Sequence, residues 1–391
     1  MHLREVGRKR NNGAIEARVE NGKVSVLVVD DSALMRNLVS RIIEAAPDLS
    51  LAATAMNGVF ALQKLERLEV DCIVLDLEMP EMNGIQFLEE RRKRGIDIPV
   101  VVLSSIAQKG AQITMEALSM GAADFVAKPS GSVSHDIHAV AETLTEMVRS
   151  YGSAYRKRTR ASANHATSQP VPERQKSTSA PPETPKVSST VAPPAPGSVE
   201  LVAIGVSTGG PNALRKVFAA LPGTLNVPIV VVQHMPAGFT AEFARSLDRI
   251  SPYEVKEAED GDVLKPNRVL IAPGNRHITV EKRSLAGLCR LNDEPPRNGH
   301  RPSADVLFRS VAAEYGNSAI AVIMTGMGRD GAVELGAVYR AGGVTIAQDE
   351  ASCIVYGMPR AAVEAGVVTE IVALHDLAGR ITEYVERSTV A

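Results

Sequence analysis

The chain has 391 residues, with 43 lysines and arginines against 45 aspartates and glutamates, a net charge of −2, and 45% hydrophobic residues. An ordinary apolar fraction and near-neutral charge exclude a disordered polyelectrolyte and give no sign of a dedicated nucleic-acid binder, and at about 150 residues per domain the length predicts two or three folded units. Cys72, Cys289 and Cys353 are far apart and lack C-x-x-C spacing, which argues against a disulfide framework or zinc knuckle and points to a reducing, cytoplasmic compartment.

Residues 1–23 carry Arg4, Arg8, Lys9 and Arg10 with no apolar run behind them, so they read as a disordered extension and not as a secretory signal. From Val24 the pattern changes. Short β-rich runs alternate with helix-period segments: Val24–Val29 then Ala33–Ala46, Leu51–Ala55 then Val59–Leu68, Cys72–Leu75 then Ile85–Arg94, followed by Val100–Leu103 and Phe125–Ala127. Five strand-helix units over 24–150 predict a doubly wound parallel sheet. Such sheets bind ligands beyond the carboxyl ends of their strands.

At those ends stand Asp30 and Asp31, Asp76, Ser104 and Ser105, and Lys128 with Pro129. Three gathered carboxylates repel one another unless a hard cation such as Mg²⁺ sits among them. One of them could then attack a phosphoryl group, with Lys128 neutralising charge and Ser104 donating a hydrogen bond. Taken singly, Asp30 or Asp31 could be a helix cap and Asp76 a solvated loop residue; the coincidence of four strand ends favours the site. The runs Val28-Val29-Asp30-Asp31-Ser32, Leu75-Asp76-Leu77-Glu78-Met79-Pro80 with Asn83-Gly84, and Phe125-Val126-Ala127-Lys128-Pro129 resemble those of response-regulator receiver domains, a flavodoxin-like fold. The resemblance implies phosphorylation of Asp76 by a histidine kinase and Mg²⁺ held by Asp31, Asp76 and the Glu78 backbone carbonyl. It also implies a switch apparatus of Asp30, Ser104, Phe125 and Lys128.

From Lys157 to Ser198 only Val171, Val187 and Val191 exceed alanine among the aliphatic side chains, and eight prolines interrupt any helix. Residues 151–198 hold seven lysines and arginines against two acids, so the excess basic charge lies here. The segment is read as a semi-extended linker. A second unit, 199–391, follows. Its longest charge-free stretch, Val217–Ala241, is broken by Pro222, Pro228 and Pro236, so no membrane insertion is expected.

The second unit opens with a strand, Leu201–Val206, running into Ser207-Thr208-Gly209-Gly210-Pro211 and a helix through Leu221. Two more strands, Pro228–Val232 and Ala319–Met324, end in Gln233-His234-Met235-Pro236 and Thr325-Gly326-Met327-Gly328-Arg329-Asp330-Gly331. A parallel sheet could gather Ser207, His234 and Asp330 on one rim as nucleophile, base and orienting carboxylate. The glycine-rich turn also fits a phosphate or dinucleotide loop, although Ser207 stands where G-x-G-x-x-G needs its second glycine. His277, His300 and His375 compete for the role of base, and Asp330 before Gly331 could be only a turn. The order Ser, His, Asp departs from that of α/β-hydrolases.

The runs Ile204–Pro211, Val232–Pro236 and Met324–Ala332 are similar to those of the chemotaxis protein-glutamate methylesterases, and the receiver-linker-esterase order matches that family. The resemblance implies a Rossmann-like α/β esterase that removes methyl groups from glutamate methyl esters on methyl-accepting chemotaxis receptors and deamidates certain receptor glutamines. It makes Ser207 the nucleophile, His234 the base and then acid, Asp330 the orienting carboxylate, and the Met327 amide an oxyanion donor. The esterase reaction then needs no cofactor, and the partners are receptors and a chemotaxis histidine kinase, without nucleic acid. A non-enzymatic response regulator whose second unit binds a nucleotide or protein is the rival reading. A transcription factor lacks a recognisable helix-turn-helix and a basic output face.

Overall fold

The computed structural model describes residues 22–105, 107–128, 134–166 and 198–389. Most of the expected N-terminal extension, Pro129, and linker residues 167–197 lie outside them.

The first unit is a five-stranded parallel sheet in the order β2-β1-β3-β4-β5. Its strands are β1 (Val24–Val29), β2 (Leu49–Ala55), β3 (Cys72–Asp76), β4 (Val100–Ser104) and β5 (Asp124–Ala127). Four helices alternate with them: α1 (Ala33–Ala45), α2 (Gly58–Leu65), α3 (Gly84–Lys93) and α4 (Gln108–Ser119). The central strands are rich in aliphatic residues and buried except at Ser25 of β1, as expected of strands covered by helices on both faces. The chain steps from β1 outward to β2, then crosses back to β3, and this reversal opens a crevice at the carboxyl ends of β1 and β3. Ser32 caps α1, and Asn83 with Gln86 forms a capping box on α3.

The boundary after the first unit differs from the expectation. Helix α5 (Ser134–Ala166) continues well past residue 150 into the stretch read as linker. Composition alone misplaced it because the first proline comes only at Pro170, and the helix is held by packing that composition does not display. The Tyr151 hydroxyl donates to the Ala123 carbonyl at 2.9 Å, and the buried Arg156 donates to the carbonyls of Gly22 and Lys23.

The second unit is a seven-stranded parallel sheet, β14-β13-β12-β6-β7-β9-β8. Its strands are β6 (Leu201–Val206), β7 (Ile229–Gln233), β8 (Glu254–Glu257), β9 (Arg268–Ile271), β12 (Ala319–Ile323), β13 (Val344–Gln348) and β14 (Glu370–Val372). A hairpin of β10 (His277–Lys282) and β11 (Gly287–Asn292) stands apart, antiparallel and unanticipated by the sequence pattern. The helices are α6 (Gly210–Ala220), α7 (Phe239–Asp248), α8 (Ala304–Glu314), α9 (Ala332–Arg340), α10 (Met358–Glu364) and α11 (Leu377–Thr389). In register, Gly205 of β6 lies beside both Ile323 of β12 and Val232 of β7. The sheet therefore reverses its winding at β6, and the three loops that follow β6, β7 and β12 share one rim. Among the described residues no helix is long and apolar enough to cross a membrane.

Candidate active site

In the first unit the expected acidic cluster forms. Carboxylate oxygens of Asp30, Asp31 and Asp76 lie within 4.8 Å of one another, with Asp30 and Asp76 buried and Asp31 exposed. Asp30 lies in the same cluster as Asp31 and Asp76, the carboxylates to which the family resemblance gave Mg²⁺. The Lys128 ammonium sits 3.1 Å from Asp30 and 2.7 Å from Asp76. Burial pushes the Asp76 carboxyl up, against the pull of Lys128, and the charge of Asp30 adds to the rise. Burial works against the charge on Lys128, yet the bond to Asp76 and the two carboxylates hold it above the ordinary lysine range. An excess of buried negative charge suits Mg²⁺. Glu78 contacts Asp76 through its amide, at 3.3 Å. The Ser104 hydroxyl accepts from Thr114 at 2.5 Å and is turned toward α4, not toward Asp76.

In the second unit Ser207 follows β6, its amide donating to the Thr325 carbonyl at 3.0 Å. The β12 loop comes so close that a Cβ on Gly326 would lie 2.7 Å from Ser207 Cβ and 2.4 Å from Met358 Sδ, so only glycine fits. Gly209, at φ 80°, turns the chain into α6. The Met327 amide donates to no described group.

His234 Nε2 lies 2.8 Å from Asp330 Oδ2. A carboxylate can only accept, so Nε2 carries the proton in the neutral ring and Nδ1 is the basic nitrogen. Nδ1 is buried and has no partner. No hydrogen bond joins the Ser207 hydroxyl to His234 among the described residues; the two line one cavity of about 710 Å³ together with Met327. Asp330 is itself held on several sides. It accepts from the Ala304 amide at the start of α8 (2.7 Å), the Ser303 hydroxyl (2.6 Å) and the Asn298 side-chain amide (2.9 Å). Burial would raise its carboxyl, but the bonds from His234, Ser303 and Asn298 win and hold it well below the usual carboxylate range.

Two of the competing histidines take ordinary roles. His277 is buried, accepting from the Ser303 amide and meeting the Pro295 carbonyl, and His375 is exposed beside Asp376. The third, His300, lies flat on His234 with ring centroids 3.8 Å apart and planes 11° apart. Sequence reasoning treated it as a rival base and missed this pairing, along with Asn298 and Ser303. The one available signal was Asn298-Gly299, a turn dipeptide. Both residues have positive φ, 53° and 80°, and Arg297 and His300 exchange backbone bonds across them, as in a type I′ turn.

The first unit also reaches this rim. Asp124 Oδ2 accepts from the Gly209 amide at 2.7 Å, at the α6 N-terminus where the phosphate-loop reading would have put its ligand. Asn212 returns two bonds to the carbonyls of Ala122 and Ala123 (3.0 and 2.8 Å), and Phe125 stacks on Phe239 with centroids 4.7 Å apart. Burial pushes Asp124 up to about 6 despite the bonds from Gly209, Phe125 and Tyr151. Asp124, Phe125 and Glu142 form part of the wall of the cavity that holds Ser207.

A family model described as CheB methylesterase matches residues 202–381, and one described as response regulator receiver domain matches residues 26–141. The protein-glutamate methylesterase/protein-glutamine glutaminase of Treponema denticola is 55% identical over 365 residues, spanning 92% of this chain and 98% of its own length. That of Treponema pallidum is 50% identical over 390 residues, spanning 92% and 97%. A crystal structure of the Thermotoga maritima CheB methylesterase catalytic domain, 40% identical, covers 48% of this chain and 98% of its own with a TM-score of 0.47.

Asp330→Asn turns an acceptor into a donor facing the Ala304 amide, so a loss of about 1–3 kcal/mol is expected in urea unfolding at neutral pH. Because Asp330 titrates below its unfolded value, its contribution is complete above about pH 4 and falls away as the pH drops further. The stability gap between wild type and Asp330→Asn should therefore narrow between pH 6 and pH 2; a constant gap would contradict the assignment.

Proposed function

The chain belongs to the protein-glutamate methylesterase/protein-glutamine glutaminase family, and we propose that Ser207, His234 and Asp330 carry out its hydrolysis under control of the first unit. The observation that carries this reading is the His234–Asp330 bond, which leaves a buried, unpartnered Nδ1 on the cavity that Ser207 lines. In this reading Nδ1 takes the Ser207 proton as Oγ attacks the ester carbonyl carbon. The oxyanion that forms is received by the Met327 amide. Collapse breaks the bond to the methoxy oxygen, which leaves as methanol with the proton from Nδ1, and the acyl group stays on Ser207. Water, deprotonated at Nδ1, then releases glutamate and restores the serine. On a glutamine side chain the same steps expel ammonia. Asp330 stays ionised throughout and stabilises the imidazolium.

The substrates are esterified glutamates and selected glutamines of chemoreceptors, and the phosphodonor is a chemotaxis histidine kinase. Asp76 is the phosphoacceptor. Asp30, Asp31 and Asp76 would hold Mg²⁺, which offsets the negative charge of the incoming phosphoryl group. Lys128 follows β5 directly, and β5 begins with the Asp124 and Phe125 that press on the esterase rim. A change at Asp76 therefore acts, through Lys128, on the strand that covers the catalytic cavity. Phosphorylation shifts a two-state equilibrium from this covered form toward an open one.

Methanol release from a methylated receptor, measured with and without a small phosphodonor and Mg²⁺, tests both halves. Ser207→Ala should abolish release in a protein that still folds, since truncating one hydroxyl costs little stability; turnover at the wild-type rate would end the nucleophile assignment. Asp76→Asn should keep basal release and lose its stimulation. Asp124→Asn, which sets a donor against the Gly209 amide or the Phe125 amide, should raise release without phosphodonor several-fold toward the stimulated rate. An unchanged basal rate in Asp124→Asn would show that this contact does not hold the cavity covered.

A further inference from the structure

We infer that His300 is a positioning residue that fixes the plane of the His234 ring and stabilises that ring while it carries the serine proton. The inference rests on the Ser207, His234 and Asp330 reading above. A single hydrogen bond at Nε2 fixes one point of an imidazole and leaves the ring free to turn about that contact. Nδ1, which must face the serine hydroxyl, has no partner to hold it. The restraint available is the face of the ring, and there His300 lies parallel at 3.8 Å.

The support for His300 comes from the same turn that supports the acid. Arg297 and His300 exchange backbone bonds of 3.0 and 2.9 Å, and between them Asn298 reaches Asp330 at 2.9 Å and Asp305 at 2.7 Å. One two-residue turn thus sets the carboxylate that orients His234 at its edge and the ring that orients it from its face. The protonation state of His300 suits this task. Burial, followed by the charge of His234, pushes it down to about 4, so it is neutral at neutral pH. A second cation stacked on the imidazolium would oppose proton transfer, whereas a neutral ring offers the electron-rich face that attracts one. No hydrogen bond ties the His300 ring to another described residue, so the flat face, not a ring nitrogen, carries the effect.

The test uses the full chain with saturating phosphodonor, a methylated receptor as substrate, and separate determination of kcat and KM. His300→Ala is expected to lower kcat roughly five- to thirtyfold, the range of about 1–2 kcal/mol at 1.36 kcal/mol per tenfold, with KM nearly unchanged. His300→Phe keeps a flat neutral ring and should recover most of the lost kcat. Should the Ala variant fail to fold, the Phe variant carries the test alone, and a kcat near wild type supports the inference. A folded Phe variant as slow as Ala would overturn it and assign the effect to a ring nitrogen. A wild-type kcat in His300→Ala would overturn it too. His234→Ala separates this failure from that of the underlying reading: if it still turns over, the triad falls, and if it is inactive while the His300 variants are normal, only the positioning role falls.

Discussion

Asp330 accepts hydrogen bonds from the Ala304 amide at the head of α8, from Ser303, from Asn298 and from His234. A buried carboxylate is costly unless its lone pairs are met, and here they are met by groups from three separate parts of the chain. The helix start contributes partial positive charge as well as the amide, which keeps the buried carboxyl ionised. An ionised Asp330 fixes the proton on Nε2 of His234 and so leaves Nδ1 as the basic nitrogen. The geometry of the catalytic rim therefore follows from the satisfaction of one charge. It also explains why the Asn298 turn and α8, neither of which touches substrate in the proposed mechanism, are placed where they are.

Much of this was legible before any coordinates. Strand ends are readable because β-rich runs stop at polar residues, and a parallel sheet places every such stop on one edge; Asp30, Asp76, Ser207, His234 and Asp330 all announce themselves in this way. What escaped was carried by loops and by packing. Asn298, His300 and Ser303 lie between strands and not at their ends, so nothing in their periodicity marks them. Asn298-Gly299 signals a turn, but a turn dipeptide does not say what its neighbours will meet in space. The extension of α5 to Ala166 was hidden for a different reason. Its last turns are polar and basic like the linker beyond, and their anchorage through Tyr151 and Arg156 depends on contacts with residues distant in the chain.

Tyr151 ties that helix to the surface that meets the second unit, since its hydroxyl reaches both the Ala123 carbonyl and, at 3.3 Å, Asp124. Asp124 is consequently gripped from its own unit by Tyr151 and the Phe125 amide and from the other unit by Gly209. Its neighbour Phe125 reaches across to Phe239. The short strand β5 thus presents one polar and one aromatic contact to the esterase at its start and is followed by Lys128, bound to Asp76. Lys128 lies four positions after Asp124 and three after Phe125, and a strand is stiff enough to carry a small displacement over that distance.

The strength of that clamp matters as much as its position. Asp124 accepts three hydrogen bonds, yet burial outweighs them and pushes its carboxyl up to about 6, so the contact is only partly compensated. The aromatic pair adds roughly 0.5–1.5 kcal/mol beyond the area it buries. Together with the two Asn212 bonds to Ala122 and Ala123 these contacts are few, but the units belong to one chain, so their closure is intramolecular and needs little binding energy. In the proposed mechanism a closed state favoured by only a few kcal/mol is well populated and easily reversed. A fully apolar interface of the same extent would bind more tightly and would resist opening by a single phosphoryl group. In the proposed mechanism, the partly compensated carboxylate at the α6 N-terminus keeps the interface weak enough to open when Asp76 is phosphorylated.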